Sequence, residues 1–196
     1  MSTTLDFYFD FGSPTAYLAY KRIKQLEEQY DLTVNYQPVL LGGLFKATDN
    51  MSPVAIPAKG MYMMAHDLPR FAKRYNVPMN MNPNFPINTL PLMRGAIAAQ
   101  QMGCFENYCD AMYDAMWVEE LNMGDPDIIQ QRINQADIDA DALIALTQDK
   151  AVKDQLIANT DAAVKRGAFG APTMFIGDEM FFGQDRLDFV EERLQA

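Results

Sequence analysis

Leu5-Asp6-Phe7-Tyr8-Phe9-Asp10-Phe11-Gly12-Ser13-Pro14 is the stretch whose reading decides the fold. Leu5, Phe7, Phe9 and Phe11 recur at every second position, the period of a strand with one buried face. Gly12 breaks the run. Ser13 then offers a side-chain oxygen to an orphan helix amide, and Pro14, which has no amide proton, suits the first helical position. Tyr17, Leu18, Ile23 and Leu26 carry that helix to about Tyr30. A second strand is predicted over Leu32–Val39, interrupted near its end by Pro38. Strand, helix and strand in direct succession favour parallel pairing of the two strands.

Working outward, the end of the chain has the same mixed character. Val152, Leu156, Ile157, Thr160, Ala163 and Val164 mark an amphipathic helix that stops at Gly167. Thr173-Met174-Phe175-Ile176, the turn Gly177-Asp178, and Met180-Phe181-Phe182 read as a hairpin, followed by a helix over Asp185–Leu194. The middle differs, because its apolar spacing is mostly helical. A Pro- and Met-rich loop, Asn50–Pro57, precedes a helix over Lys59–Tyr75, and a Pro-rich connector spans Asn76–Thr89. Further helices are predicted over Pro91–Met102, Phe105–Trp117, Asp127–Asn134 and Asp139–Gln148. This order predicts an α/β, thioredoxin-like fold with an inserted all-helical domain. Residues 1–42 and 149–196 would form the thioredoxin-like unit and residues 43–148 the insertion.

The net charge of −10 argues against general affinity for nucleic acid or anionic membrane, since both need a basic surface. No apolar run has the length of a membrane span, and Met1-Ser2-Thr3-Thr4 leads directly into the first strand without a signal-peptide pattern. A cytoplasmic protein is expected. The two cysteines, Cys104 and Cys109, have neither redox Cys-x-x-Cys nor zinc-ligand spacing and read as small buried hydrophobes. His66 is the single histidine and falls in a helical stretch beside Asp67, so it reads as structural and no metal site is expected.

Three segments carry chemistry. Ser13-Pro14-Thr15-Ala16 stands at a helix N-terminus after the first strand, where amides and the helix dipole favour an anion such as a thiolate. Redox thioredoxins place Cys-x-x-Cys here. Ser13 and Ala16 occupy those positions, so disulfide exchange by the protein alone is excluded, while a serine hydroxyl can donate to an external thiolate. Taken alone, Ser13 reads first as a plain helix cap, because serine caps are common. Ala171-Pro172 enters the hairpin, where a proline at a strand start calls for a special reason. Gly183-Gln184-Asp185-Arg186 opens the last helix, and an aspartate and an arginine there suit the ammonium and carboxylate of an amino-acid head group.

Together with Leu40-Leu41-Gly42-Gly43-Leu44-Phe45-Lys46, Lys59-Gly60-Met61-Tyr62 and Asn84-Phe85-Pro86-Ile87-Asn88-Thr89, these segments resemble the family of 2-hydroxychromene-2-carboxylate isomerases and kappa-class glutathione transferases. They occur in family order over nearly the whole chain. The resemblance implies glutathione as cofactor, activated by Ser13, with Ala171 before a cis Pro172 pairing through its backbone with the cysteinyl part. It implies Gln184 and Asp185 at the γ-glutamyl end, and Asn50 and Lys59 as polar contacts from the insert. The implied activity is reversible addition of glutathione thiolate to a conjugated aromatic enone acid. A transferase or peroxidase acting on another electrophile, and a non-catalytic glutathione- or partner-binding module, are the alternatives. A small aromatic or electrophilic substrate and a homodimer are expected. Tyr62, Met61, Phe85 and Trp117 are candidates for lining the acceptor pocket. Thr15-Ala16 replaces the aromatic and hydroxyl residues often found after Ser-Pro in such proteins, so a second hydroxyl is expected to be absent.

Overall fold

The computed structural model describes residues 2–195. The first strand, β1 (Thr3–Phe9), leads into α1 (Pro14–Gln29) and β2 (Leu32–Pro38), and β1 pairs parallel with β2 from Thr3 opposite Leu32 to Phe9 opposite Pro38. The hairpin is β3 (Thr173–Ile176) and β4 (Glu179–Phe182), and β3 runs antiparallel to β1, giving the sheet order β2-β1-β3-β4. Between them come α2 (Leu41–Ala47), α3 (Pro57–Tyr62), α4 (Leu68–Tyr75), α5 (Leu90–Met102), α6 (Phe105–Trp117), α7 (Pro126–Gln135), α8 (Ala140–Leu146) and α9 (Lys150–Lys165); α10 (Leu187–Gln195) closes the chain. The α/β thioredoxin-like order expected from the sequence is the one observed.

β1 stops two residues earlier than its alternation suggests. Asp10 turns its carboxylate back to accept the Gly12 amide at 2.9 Å, which ends the ladder and starts the turn into α1. Phe11 nonetheless stays buried, with its ring 4.7 Å from Tyr113. Leu5, Phe7 and Phe9 point to the same face, and they pack with α1 and α6 in a cluster that extends through α5 to α8. Each such side chain contributes about 1.5–3 kcal/mol on burial. The opposite face presents Tyr8, which joins Val39, Leu44, Ala163, Ala168 and Phe175 beneath α2 and α9. Arg166 closes that side, pairing with Asp6 at 2.6 Å and lying 3.8 Å over the Phe175 ring.

The helix read as one piece over Lys59–Tyr75 starts at Pro57 and changes register in the middle. Residues Met63–Asp67 form a π turn joining α3 to α4. Pro69 lacks the amide that would continue the ordinary ladder, and the backbone before it opens to an i→i+5 pattern. In α5, Gly95 allows close approach: a Cβ there would collide with the Tyr108 hydroxyl, which donates to the Leu92 carbonyl at 3.0 Å. That contact locks α5 to α6. Among the described residues no helix is long and apolar enough to cross a membrane.

Candidate active site

Asp10 organises the floor of the site. It is 1 % exposed and accepts three hydrogen bonds: Gly12 N–H and the Thr89 hydroxyl on Oδ1, at 2.9 and 2.7 Å, and Leu41 N–H on Oδ2, at 2.8 Å. It thereby ties the end of β1 to the start of α2 and the start of α5. Burial raises its carboxyl above the ordinary value, opposed by the three donors. Just beyond it, Ser13 caps α1 by accepting Ala16 N–H at 3.1 Å. Its hydroxyl also donates to the Ala171 carbonyl at 2.9 Å, so the helix start and the loop before β3 are held together.

The Ala171–Pro172 peptide is cis, as expected, and so is Phe85–Pro86, which the sequence did not signal. The Pro172 carbonyl accepts Gly183 N–H at 3.0 Å. Gly183 has φ +97°, which lets the chain turn from β4 directly into the Gln184–Arg186 turn of 3-10 helix. No hydrogen bond of the Ala171 N–H occurs among the described residues, leaving it available to an extended ligand.

These segments face one another across a cleft of about 410 Å³. Ser13, Asn50, Lys59, Ala171, Pro172, Gln184 and Asp185 all line it. Gln184 is buried, while Asp185 pairs with Arg186 at 2.6 Å. Lys59 makes no ion pair among the described residues. Phe45, Val54, Ile56, Met63, Phe85 and Phe182 supply the apolar wall. The arrangement offers donors for an anion at a helix N-terminus, a backbone N–H at Ala171 without a partner among the described residues, charged groups of both signs, and an apolar wall beside them. Neither cysteine reaches it: Cys104 and Cys109 are free, lie outside the cleft, and burial pushes both thiols up.

The DSBA-like thioredoxin domain family model matches residues 4–195. The chain is 32 % identical to 2-hydroxychromene-2-carboxylate isomerase of Sphingobium xenophagum, covering 99 % of each chain. It is 28 % identical to glutathione S-transferase kappa 1 of Caenorhabditis elegans, covering 97 % of this chain and 90 % of that one. A solved structure of 2-hydroxychromene-2-carboxylate isomerase superposes with a TM-score of 0.86 at 30 % identity, covering 98 % of this chain and 94 % of that one. The chain belongs to the DsbA-like thioredoxin family, in its isomerase and kappa-transferase branch.

Within this family member, three of the four residues expected to line the acceptor pocket are corrected. Trp117 does not line it: the ring is fully buried and its Nε1 donates to the Phe11 carbonyl at 2.8 Å. Met61 and Tyr62 are 72 % and 52 % exposed and stand outside the lining, while Met63, on the inner side of the same turn, takes the place expected of them. Phe85 does line it. Ala16 carries no hydroxyl where relatives often have one, but the aromatic's position holds Thr15, whose Oγ1 lies 2.9 Å from Ser13 Oγ beside the cleft. Asn50 reaches the cleft but has backbone work of its own, donating to the Phe169 carbonyl at 3.0 Å and accepting Met51 N–H at 2.8 Å.

Proposed function

We propose that this protein is a glutathione-dependent isomerase of conjugated aromatic enone acids. The observation that carries the reading is the Ser13 hydroxyl, capping α1 and turned toward the cis-Pro172 loop, in a cleft where thioredoxins hold a cysteine and this chain has none. Glutathione supplies the missing thiol. Its cysteinyl backbone pairs with Ala171, its sulfur sits at the start of α1, and Ser13 donates to the thiolate alongside the helix amides. The γ-glutamyl ammonium takes Asp185, with Gln184 beside it, and the adjacent carboxylate takes Arg186. Lys59 accepts a carboxylate and Asn50 fixes the loop that carries the apolar wall.

The chemistry then needs no metal and no protein nucleophile. The thiolate forms a carbon–sulfur bond at the conjugated carbon, and the π pair moves to the carbonyl oxygen as an enolate. Rotation about the new single bond follows. Return of the electron pair breaks the carbon–sulfur bond and releases the other isomer with the thiolate regenerated. The apolar wall orients the aromatic ring and excludes water.

Calorimetric titration with reduced glutathione, beside an Asp185→Ala variant, tests the cofactor. Saturable binding is expected, weakened about 10- to 100-fold in the variant by loss of a charge-assisted hydrogen bond. A wild-type protein that does not bind glutathione overturns the reading. The kappa-class relative supports a second one, transfer of glutathione to an electrophile. Turnover of generic electrophiles, without isomerisation of aromatic enone acids, would select it.

A further inference from the structure

A serine hydroxyl has one proton and two lone pairs, and the surroundings of Ser13 account for all three. Ala16 N–H occupies one lone pair at 3.1 Å, and the Ala171 carbonyl receives the proton at 2.9 Å. Thr15 Oγ1 stands 2.9 Å from Ser13 Oγ and 3.5 Å from the Ala171 carbonyl. Two proton arrangements connect these atoms. In one, Thr15 donates to Ser13 and Ser13 to Ala171, with both links at 2.9 Å. In the other, Ser13 donates to Thr15, and Thr15 must reach the carbonyl across 3.5 Å, beyond the normal range for a hydroxyl donor. The first arrangement wins on geometry.

We propose that Thr15 is the positioning residue that keeps Ser13 a donor, and that the Ala171 carbonyl is a placeholder for the thiolate. This rests on the glutathione reading above and specifies how the same site works. With both lone pairs of Ser13 filled, by Ala16 N–H and by the Thr15 hydroxyl, its proton is all that it can present to a ligand. A cysteinyl N–H that pairs with Ala171 competes for that carbonyl, and the Ser13 proton turns to the sulfur. The hydroxyl chain then runs from Thr15 to Ser13 to the thiolate, each link polarising the next. Without Thr15, Ser13 has an open lone pair, and its hydroxyl can rotate into orientations that direct oxygen rather than hydrogen at the sulfur.

The test is the thiolate absorbance of bound glutathione against pH in the wild type and in Thr15→Val, Thr15→Ser and Ser13→Ala variants, with glutathione affinity measured alongside. Thr15→Val is expected to raise the bound thiol pKa by about 0.5–1 unit, less than Ser13→Ala, and Thr15→Ser to restore the wild-type value. A Thr15→Val protein that titrates with the wild type overturns the proposal, and so does a Thr15→Ser protein that titrates with the valine variant. Thr15→Ala repeats the measurement if the valine variant does not fold. Failure of the wild type to bind glutathione overturns the glutathione reading itself, whereas binding with an unmoved pKa in Thr15→Val overturns the Thr15 role alone.

Discussion

Ser13→Ala is expected to lower kcat/KM for the glutathione-dependent reaction about 100-fold, in the range found for removing one preorganised donor from a developing or resident anion. Ser13 is 3 % exposed and its hydroxyl stands among the first amides of a sixteen-residue helix, so water cannot replace it on equal terms. Its loss acts in two ways. The bound thiol becomes harder to ionise, and the fraction of reactive thiolate at neutral pH falls. The enzyme also loses the group that holds the sulfur between α1 and the Pro172 loop. The fold should persist, because an N-cap removed from a long helix costs only about 1 kcal/mol. Kinetics across a pH series check this: the variant should recover part of its rate as pH rises and solvent ionises the thiol. Activity within about threefold of wild type at neutral pH would remove Ser13 from the mechanism.

Asp10→Asn is expected to cost about 2–4 kcal/mol of stability, although it changes one atom of the side chain. Three donors converge on the carboxylate, and an amide has one oxygen to answer them. If that oxygen faces Gly12 and Thr89, the NH₂ opposes Leu41 N–H; the flipped amide opposes Gly12. Either way a buried donor is unsatisfied. The pH dependence runs the other way. Burial raises the folded-state pKa of Asp10 above its ordinary 3.8, so between the two values the folded protein holds a proton that the unfolded chain has released. Stability contributed by Asp10 is complete below 3.8 and is lost as pH rises through the raised value. The asparagine variant has no such titration. Urea unfolding of both proteins at several pH values should therefore show the wild-type advantage shrinking as pH rises through that window, with the other carboxylates cancelling in the comparison. A constant difference would mean that Asp10 does not change its protonation differently from the unfolded chain.

What can be read from the residues alone follows from how local each signal is. β1, α1 and β2 are legible because alternation, a serine cap and Pro14 lie within one short stretch. The hairpin is legible because two apolar runs flank a Gly-Asp turn. α2 is not, since Gly42 and Gly43 argue against a helix and its start is satisfied from far away, by Asp10 on Leu41 N–H and by Thr160, which accepts Leu40 N–H at 3.0 Å. Met61, Met63 and Met64 lie so close together in the sequence that only the structure separates the exposed Met61 from Met63, which lines the cleft. Trp117 reads as a wall because a large aromatic suits a pocket equally well as a core, and only the packing of α6 against Phe11 separates the two. Thr15 is easily missed because it is neither of the residue types expected after Ser-Pro. Its signal is a hydroxyl two residues from the cap, where a short side chain in the first turn can reach back.

Trp117 is the single tryptophan of the chain. Enclosed in apolar surroundings, with its indole N–H held by Phe11 and its ring 5.5 Å from Phe85, it is a built-in fluorophore. Its emission should be blue-shifted and insensitive to iodide in the native protein. Phe85 lies both against this ring and in the wall of the cleft, so a ligand filling the cleft is expected to change the emission through that contact. Occupancy and unfolding can thus be followed in the unlabelled protein by one optical signal.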